Sequence, residues 1–199
     1  CLKTGVNVYL NTEFTLKDAK KDYDKVILPA GSSPMMPPIP GIEKAGFVSE
    51  FLTDRKEAGK QIVIIGGGLA GCEAACYLKE NAETVTIIEM QEDILFGCDH
   101  CLNNDQALRQ MLQDNNINKI TKATVTKIED NRVTYLQDNQ EYTIVCDTII
   151  NAAGFKPNDQ LEDALEEIYD DVTVIGDAKA PRKILTAIHE GYHAIRVME

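Results

Sequence analysis

Tryptophan is absent from this 199-residue sequence, and aromatic residues make up only 6% of it. Platforms for stacking bases or sugars therefore have little to be built from. Positive charge is scarce as well: 20 Lys and Arg stand against 32 Asp and Glu, a formal net charge of −12. A phosphate backbone demands clustered cations, and so does an anionic membrane surface, so the balance argues against both partners. No long apolar run is present. The most apolar window, Ile62–Leu78, is interrupted by Glu73 and contains a glycine cluster, which fits a turn better than a membrane helix. No signal peptide is visible, and nothing points to secretion. The six cysteines are therefore expected as free thiols in a reducing cytoplasm rather than as a disulfide framework.

What is present is ordinary globular composition, 44% hydrophobic and 26% charged. At about 150 residues per domain the length allows between one and two domains. Short β-type runs recur at Asn7–Leu10, Lys25–Leu28, Gln61–Ile65, Thr84–Glu89, Thr148–Asn151 and Thr173–Ile175. Several are continuous Ile/Val stretches, as expected of strands buried on both faces of a parallel sheet. Helical patterns at Ala70–Glu80 and Asp105–Asp114 alternate with them, which implies βαβ units and an α/β class. One region breaks this rhythm. Ala123–Glu129, Arg132–Leu136 and Glu141–Val145 are β-prone and separated by turn residues, and they read as a three-stranded antiparallel meander. Leu185, Ile188, Tyr192 and Ile195 have helical spacing, predicting a helix over Leu185–Met198 with one buried face.

Two punctuated segments read as domain crossings: the proline-rich Ser33–Gly41, stiffened at each Pro, and Gly154–Asn158. The expected organisation is one domain over residues 46–157, with residues 1–45 and 158–199 belonging together in a second.

The densest chemical signal is Gly66-Gly67-Gly68-Leu69-Ala70-Gly71, a G-x-G-x-x-G between the strand Gln61–Ile65 and the helix Ala70–Glu80. Glu89 closes the next strand, 21 residues after Gly68, near the spacing of about 20 at which an acid reaches the adenosine ribose. Gly66 permits the tight turn, Gly68 lets a pyrophosphate approach the backbone, and Gly71 lets helix and strand pack closely. Backbone N–H groups at the helix start, Leu69 and Ala70 among them, would face the phosphates. The residues after Glu89 are Met90-Gln91-Glu92-Asp93, without Lys or Arg to meet a 2′-phosphate, so NADH is favoured over NADPH.

With Glu73 and Ala75 the loop resembles the fingerprint G-x-G-x-x-G-x-E-x-A of two-dinucleotide-binding-domain flavoproteins. Other segments match that family in order. Asp24–Ser32 resembles its first crossing, although Pro29 stands where the family often has another residue. Asp147–Gly154 resembles the second crossing, with the meander before it. Val174-Ile175-Gly176-Asp177 resembles the late G-D motif that holds FAD. Within the family the sequence is similar to the reductase half of the 2-enoate reductase and 2,4-dienoyl-CoA reductase group, especially over Gly176–Ile184 and Ala187–Gly191. These enzymes resemble old yellow enzyme in their N-terminal half.

The resemblance implies a Rossmann-like NAD(P)H domain inserted in a partial FAD-binding domain. It implies NADH at Gly66, Gly68, Leu69, Ala70, Gly71 and Glu89, with Gly154 and Gly31 at the crossings. Gly176 and Asp177 would lie at FAD, Asp177 accepting a hydrogen bond from the ribityl chain. A helix starting near Arg182 would point its positive end at the flavin ring. Hydride would pass from NADH to FAD, and electrons would continue through an iron–sulfur cluster to FMN, where an activated C=C bond is reduced. No acid–base residue of this chain is expected to be catalytic. The family's first glycine loop, its FMN-binding barrel and its cluster ligands have no counterpart here, and the chain starts at Cys1. A C-terminal piece cut within the FAD domain, without tight FAD binding of its own, is expected. A second reading remains open, a module that holds ADP or NAD without electron transfer.

Smaller constellations carry blander expectations. Cys98-Asp99-His100-Cys101 lacks the second C-x-x-C of a zinc site and reads as incidental thiols. Cys72 and Cys76 share a helix face, as packing on a sheet requires. Glu73 fits a nicotinamide neighbour and a solvated carboxylate equally well. His189 and His193 lack an H-E-x-x-H context, and the acidic stretch Glu162–Asp171 reads as a solvated face.

Overall fold

The structure is a computed structural model that describes residues 2–19, 23–53, 55–96 and 102–197. The strands in chain order are β1 (Val26–Leu28), β2 (Ser32–Pro34), β3 (Gly46–Phe47), β4 (Gln61–Ile65), β5 (Thr84–Ile88) and β6 (Asn118–Ile120). They continue as β7 (Ala123–Glu129), β8 (Arg132–Gln137), β9 (Gln140–Val145), β10 (Thr148–Asn151), β11 (Phe155–Pro157) and β12 (Val172–Val174). The helices are α1 (Val48–Leu52), α2 (Leu69–Lys79), α3 (Leu102–Asp114), α4 (Glu162–Glu166) and α5 (Ile184–Arg196). Contacts divide the chain into two compact units, Pro34–Phe155 and the paired ends Cys1–Ser33 with Lys156–Glu199. Pro34–Ala45 falls with the central unit, where Ile39 and Ile42 join one of its cores.

The central unit is built on a five-stranded parallel sheet in the order β3-β10-β4-β5-β6. β4 runs through α2 to β5, and β5 through α3 to β6. The chain then makes the antiparallel sheet β7-β8-β9 and returns as β10 on the other side of β4. β4 and β5 are buried on both faces, which is why they read as unbroken Ile/Val runs. Ile62, Ile64, Val85, Ile87 and Ile150 pack under the helices. Val63, Ile65, Ile88 and Ile149 pack under the meander with Val125, Val133 and Tyr135. Each such side chain contributes about 1.5–3 kcal/mol on burial. Cys72 and Cys76 lie in the helix-side core among Ala74 and Ala75, small residues that bring α2 close to the sheet. Cys146 is buried too, and desolvation pushes its thiol pKa up to about 11.

The paired ends form a second unit with the parallel pair β1-β12, a core of Leu28, Leu165 and Tyr169, and the helices α4 and α5. Two expectations fail here. Asn7–Leu10 forms no strand; Val8, Tyr9 and Leu10 are exposed and pair with no strand of the sheets. β-propensity without a neighbour to complete the ladder does not make a strand. α5 forms, but the face expected to be buried does not bury: Leu185, Ile188, Tyr192 and Ile195 are all exposed, at 58–62%. Helical spacing defines an apolar stripe and says nothing of what covers it, and only Ala194 of α5 is buried. The helix starts at Ile184, two residues after Arg182 and close to where it is expected. The acidic stretch is solvated except where Leu165 and Tyr169 turn inward. Cys98, His100 and Cys101 lie outside the described residues.

Candidate functional site

In the central unit the strand order reverses between β4 and β10, and both strands end at the same edge. Open α/β sheets bind ligands at such a switch point, beyond the carboxyl ends of the strands. Gly66 follows β4 there, with φ +109. A Cβ on Gly66 would lie 2.5 Å from the Ala152 carbonyl oxygen, which follows β10. Gly71, in the first turns of α2, is closed by packing: a Cβ would lie 2.1 Å from the Gly66 oxygen. Gly68 differs. Its Cβ would meet nothing within 4 Å, so this residue faces open space, as close approach by a ligand backbone or phosphate requires. Leu69 and Ala70 open α2 directly after it.

A cavity of about 580 Å³ lies over this edge, within the size range of cofactor sites. Gly66, Gly68, Glu89 and Gly154 line it, with Ala152 and Ala153 on one side and Pro37, Pro38 and Ile39 on another. Leu69, Ala70 and Gly71 are not part of its lining; they shape the helix start behind it. Among the described residues, Glu89 is the only ionisable side chain lining the cavity. It is buried, and both its oxygens are engaged by backbone. Oε2 accepts from Gly67 N–H at 2.6 Å and Oε1 from Gln91 N–H at 2.7 Å. The carboxylate therefore braces the glycine loop while it lines the cavity. Glu73 is exposed on α2.

The remaining expected residues, Gly31, Gly176 and Asp177, come together in the other unit, around a cavity of about 460 Å³. Gly31 and Gly176 take left-handed backbone conformations, φ +73 and +63. Asp177 is half-buried; its Oδ2 accepts from the Ser32 hydroxyl and its Oδ1 from Arg182 N–H, both at 3.2 Å. Glu190 of α5 accepts from Gly176 N–H at 2.8 Å and is paired with Arg182. The Gly176 bond, with Arg182 and Lys179 nearby, holds its carboxyl below the usual glutamate range against burial.

Three residues of these arrangements had no role assigned from sequence. Ser32 and Glu190 stand inside segments that carried the family resemblance, but nothing in their type or spacing marked them as partners of Asp177 and Gly176. Asn151, at the end of β10, also stands inside such a segment, Asp147–Gly154, with nothing in it to mark this side chain as a brace. It is 3% exposed, its Oδ1 accepts from Ala153 N–H at 3.1 Å and its Nδ2 donates to Met35 O at 2.8 Å. A polar side chain ending an Ile-rich strand was the only available hint.

The chain is similar to known proteins in both sequence and structure. Residues 2–191 match the family described as pyridine nucleotide-disulphide oxidoreductase. A cinnamate reductase of Clostridium sporogenes is 32% identical over 194 residues, 96% of this chain and 29% of the relative. An NADH oxidase of Thermoanaerobacter brockii is 35% identical over 177 residues, 85% of this chain and 27% of the relative. The solved structure of a 2-naphthoyl-CoA reductase superposes with a TM-score of 0.84 at 29% identity, covering 99% of this chain and 30% of that one. The chain thus spans less than a third of each of these three proteins, all of them oxidoreductases. The match over nearly its whole length shows that the chain belongs to the pyridine nucleotide-disulphide oxidoreductase family.

Proposed function

We propose that the central unit binds NADH and that the paired ends contribute to an FAD site, within a longer enoate reductase-like flavin oxidoreductase. The observation that carries this reading is the cavity at the β4–β10 switch point. An open Gly68 and a carboxylate at Glu89 line it, the two features that a dinucleotide's pyrophosphate and adenosine ribose would call for.

The residues fit the cofactor. Gly66 and Gly68 would admit the pyrophosphate to the start of α2, whose N-terminal N–H groups favour anions. Glu89 keeps lone pairs free beyond its two backbone bonds and would accept from the ribose hydroxyls. With no Lys or Arg among the described lining residues, a 2′-phosphate has no counter-charge, which favours NADH over NADPH. In the other unit Gly31, Gly176 and Asp177 would hold part of FAD, with Ser32 and Glu190 fixing their positions. When bound, NADH would supply a hydride and FAD would be the group able to take it. This chain's residues bind and orient the two cofactors and supply no proton. The FMN, the iron–sulfur cluster and the reduction of an activated C=C bond would belong to the rest of the longer protein. A relative such as the cinnamate reductase, of which this chain spans 29%, leaves room for them.

Titration of the protein with NADH and with NADPH, followed by nicotinamide fluorescence, tests the reading. Saturable binding with NADH the tighter ligand is expected. A folded protein that binds neither would overturn it.

A further inference from the structure

The Ala152–Gly154 wall of the cavity follows the end of β10 at Asn151. Ala152 N–H still donates to Ile65 O at 2.9 Å, and the turn beyond it is braced by one buried side chain. The Asn151 amide takes Ala153 N–H on its oxygen and gives its own N–H to Met35 O. Met35 N–H in turn donates to Gly154 O at 2.9 Å. The amide and this backbone bond close a ring that ties the turn after β10 to the segment Met35–Ile39. Ala152, Ala153 and Gly154 line the cavity from one strand end, and Pro37, Pro38 and Ile39 line it from the other segment. The ring therefore ties two walls of the cavity to each other at the point where both chain segments enter it. It also touches the glycine loop, because the Ala152 carbonyl stands against Gly66 with no room for a side chain.

We infer that Asn151 is a positioning residue for dinucleotide binding: its amide sets the separation of the two cavity walls and the seat of Gly66 before the cofactor arrives. The inference rests on the NADH reading above. The chemistry requires an amide, because the site needs one acceptor for Ala153 and one donor for Met35 on the same short side chain. An ionised Asp supplies only acceptors, and its charge would face the Met35 carbonyl. A protonated Asp restores the donor.

That difference provides the test. NADH dissociation constants are measured for the wild-type protein, Asn151→Asp and Asn151→Leu between about pH 8 and about pH 5, spanning the range over which a buried carboxyl titrates. Asn151→Asp is expected to bind about tenfold more weakly than wild type at the upper end, the loss of one well-placed bond, and to approach wild type at the lower end. Asn151→Leu is expected to stay weak throughout. Glu89, the ionisable group lining the same cavity, is common to all three proteins and cancels in the ratios. A role in fold stability alone would move the unfolding midpoint and leave the ratios of the folded variants at one and independent of pH, which would overturn the inference. Amide hydrogen exchange on the wild-type protein tests the same point without any variant. Ala153 N–H is expected to be protected before NADH is added, and exchange at the unprotected rate would overturn it. Absence of NADH binding by the wild type would remove the underlying reading and this inference with it. Binding by the wild type and by a folded Asn151→Leu with equal affinity would remove this inference alone.

Discussion

The carboxylate of Glu89 accepts a hydrogen bond of 2.6 Å from the backbone N–H of Gly67, so the acid at the end of β5 holds the glycine loop after β4. Gly67 is buried, and water cannot replace the acceptor if it is removed. Glu89→Ala is therefore expected to lose about 1–3 kcal/mol of stability as well as NADH affinity. Glu89→Gln keeps an acceptor for Gly67 and should lose less stability. Urea unfolding and NADH titration of the two variants check this; a Glu89→Ala protein as stable as wild type would show that the loop is held by other contacts.

Two glycines of the same loop should separate binding from folding. A Cβ on Gly71 would lie 2.1 Å from a backbone oxygen that cannot move without shifting the loop. Gly71→Ala should therefore destabilise by several kcal/mol, on the order of an overpacked core. Gly68 has φ −72, ordinary for any residue, and open space where a Cβ would be. Gly68→Ala should cost less than about 1 kcal/mol, mainly the weaker N-cap, yet weaken NADH binding at least tenfold by occupying the space a pyrophosphate needs. Thermal unfolding and NADH titration together read both effects. A strongly destabilised Gly68→Ala, or one with intact NADH affinity, would contradict the assignment.

The loop's legibility came from covalent and steric necessity. Gly66 and Gly71 are fixed by backbone contacts that exclude a Cβ, and continuous Ile/Val runs are the mark of strands covered on both faces, so β4, β5 and β10 could be read from sequence. The meander was readable from its turn residues at Asp130-Asn131 and Gln137–Gln140. Long-range pairing was not readable. β2, β3, β6 and β11 are two or three residues long, too short for a period, and exist because a neighbour completes their ladders. Asn7–Leu10 has the composition of a strand but, among the described residues, no such neighbour. The same limit explains α5, whose stripe was visible and whose exposure was not. In the sites, the residues proposed to face a ligand are the fixed positions of motifs, whereas Asn151, Ser32 and Glu190 act on other protein groups through one or two side-chain bonds each, which leave no repeating pattern.

Asp177 distinguishes a flavin site from a nucleotide holder. Its carboxylate is shared between Ser32 and Arg182 N–H at the edge of a cavity that also contains Gly31 and Gly176. In the longer flavin oxidoreductase proposed above, Asp177→Ala is expected to lower bound FAD, measured by flavin absorbance per polypeptide, while NADH binding by the central unit persists. Unchanged flavin content would favour a module that holds nucleotide without electron transfer.

Acid should weaken the start of β4 through Asp147. This carboxylate precedes β10 and accepts from the backbone N–H groups of Lys60 and Gln61, at 2.8 Å and 3.0 Å, with the Thr148 hydroxyl close by. Burial tends to raise its pKa, but the bonds from Lys60, Gln61 and Thr148 outweigh it and bring the net value below the ordinary 3.8. A carboxyl whose folded pKa lies below its unfolded one stabilises the fold fully above the unfolded value. That contribution is lost as pH falls through the folded value. Stability should therefore decline as pH drops below about 4. Asp18, Asp130 and Glu190 are lowered as well and share that decline, so the informative quantity is the difference between wild type and Asp147→Asn. The difference should favour wild type at neutral pH, because an amide accepts less strongly than a carboxylate, and it should shrink steadily as the acid limb is entered. Urea unfolding of both proteins across that range measures it. A difference that stays constant with pH would mean that the Asp147 charge does not stabilise β4.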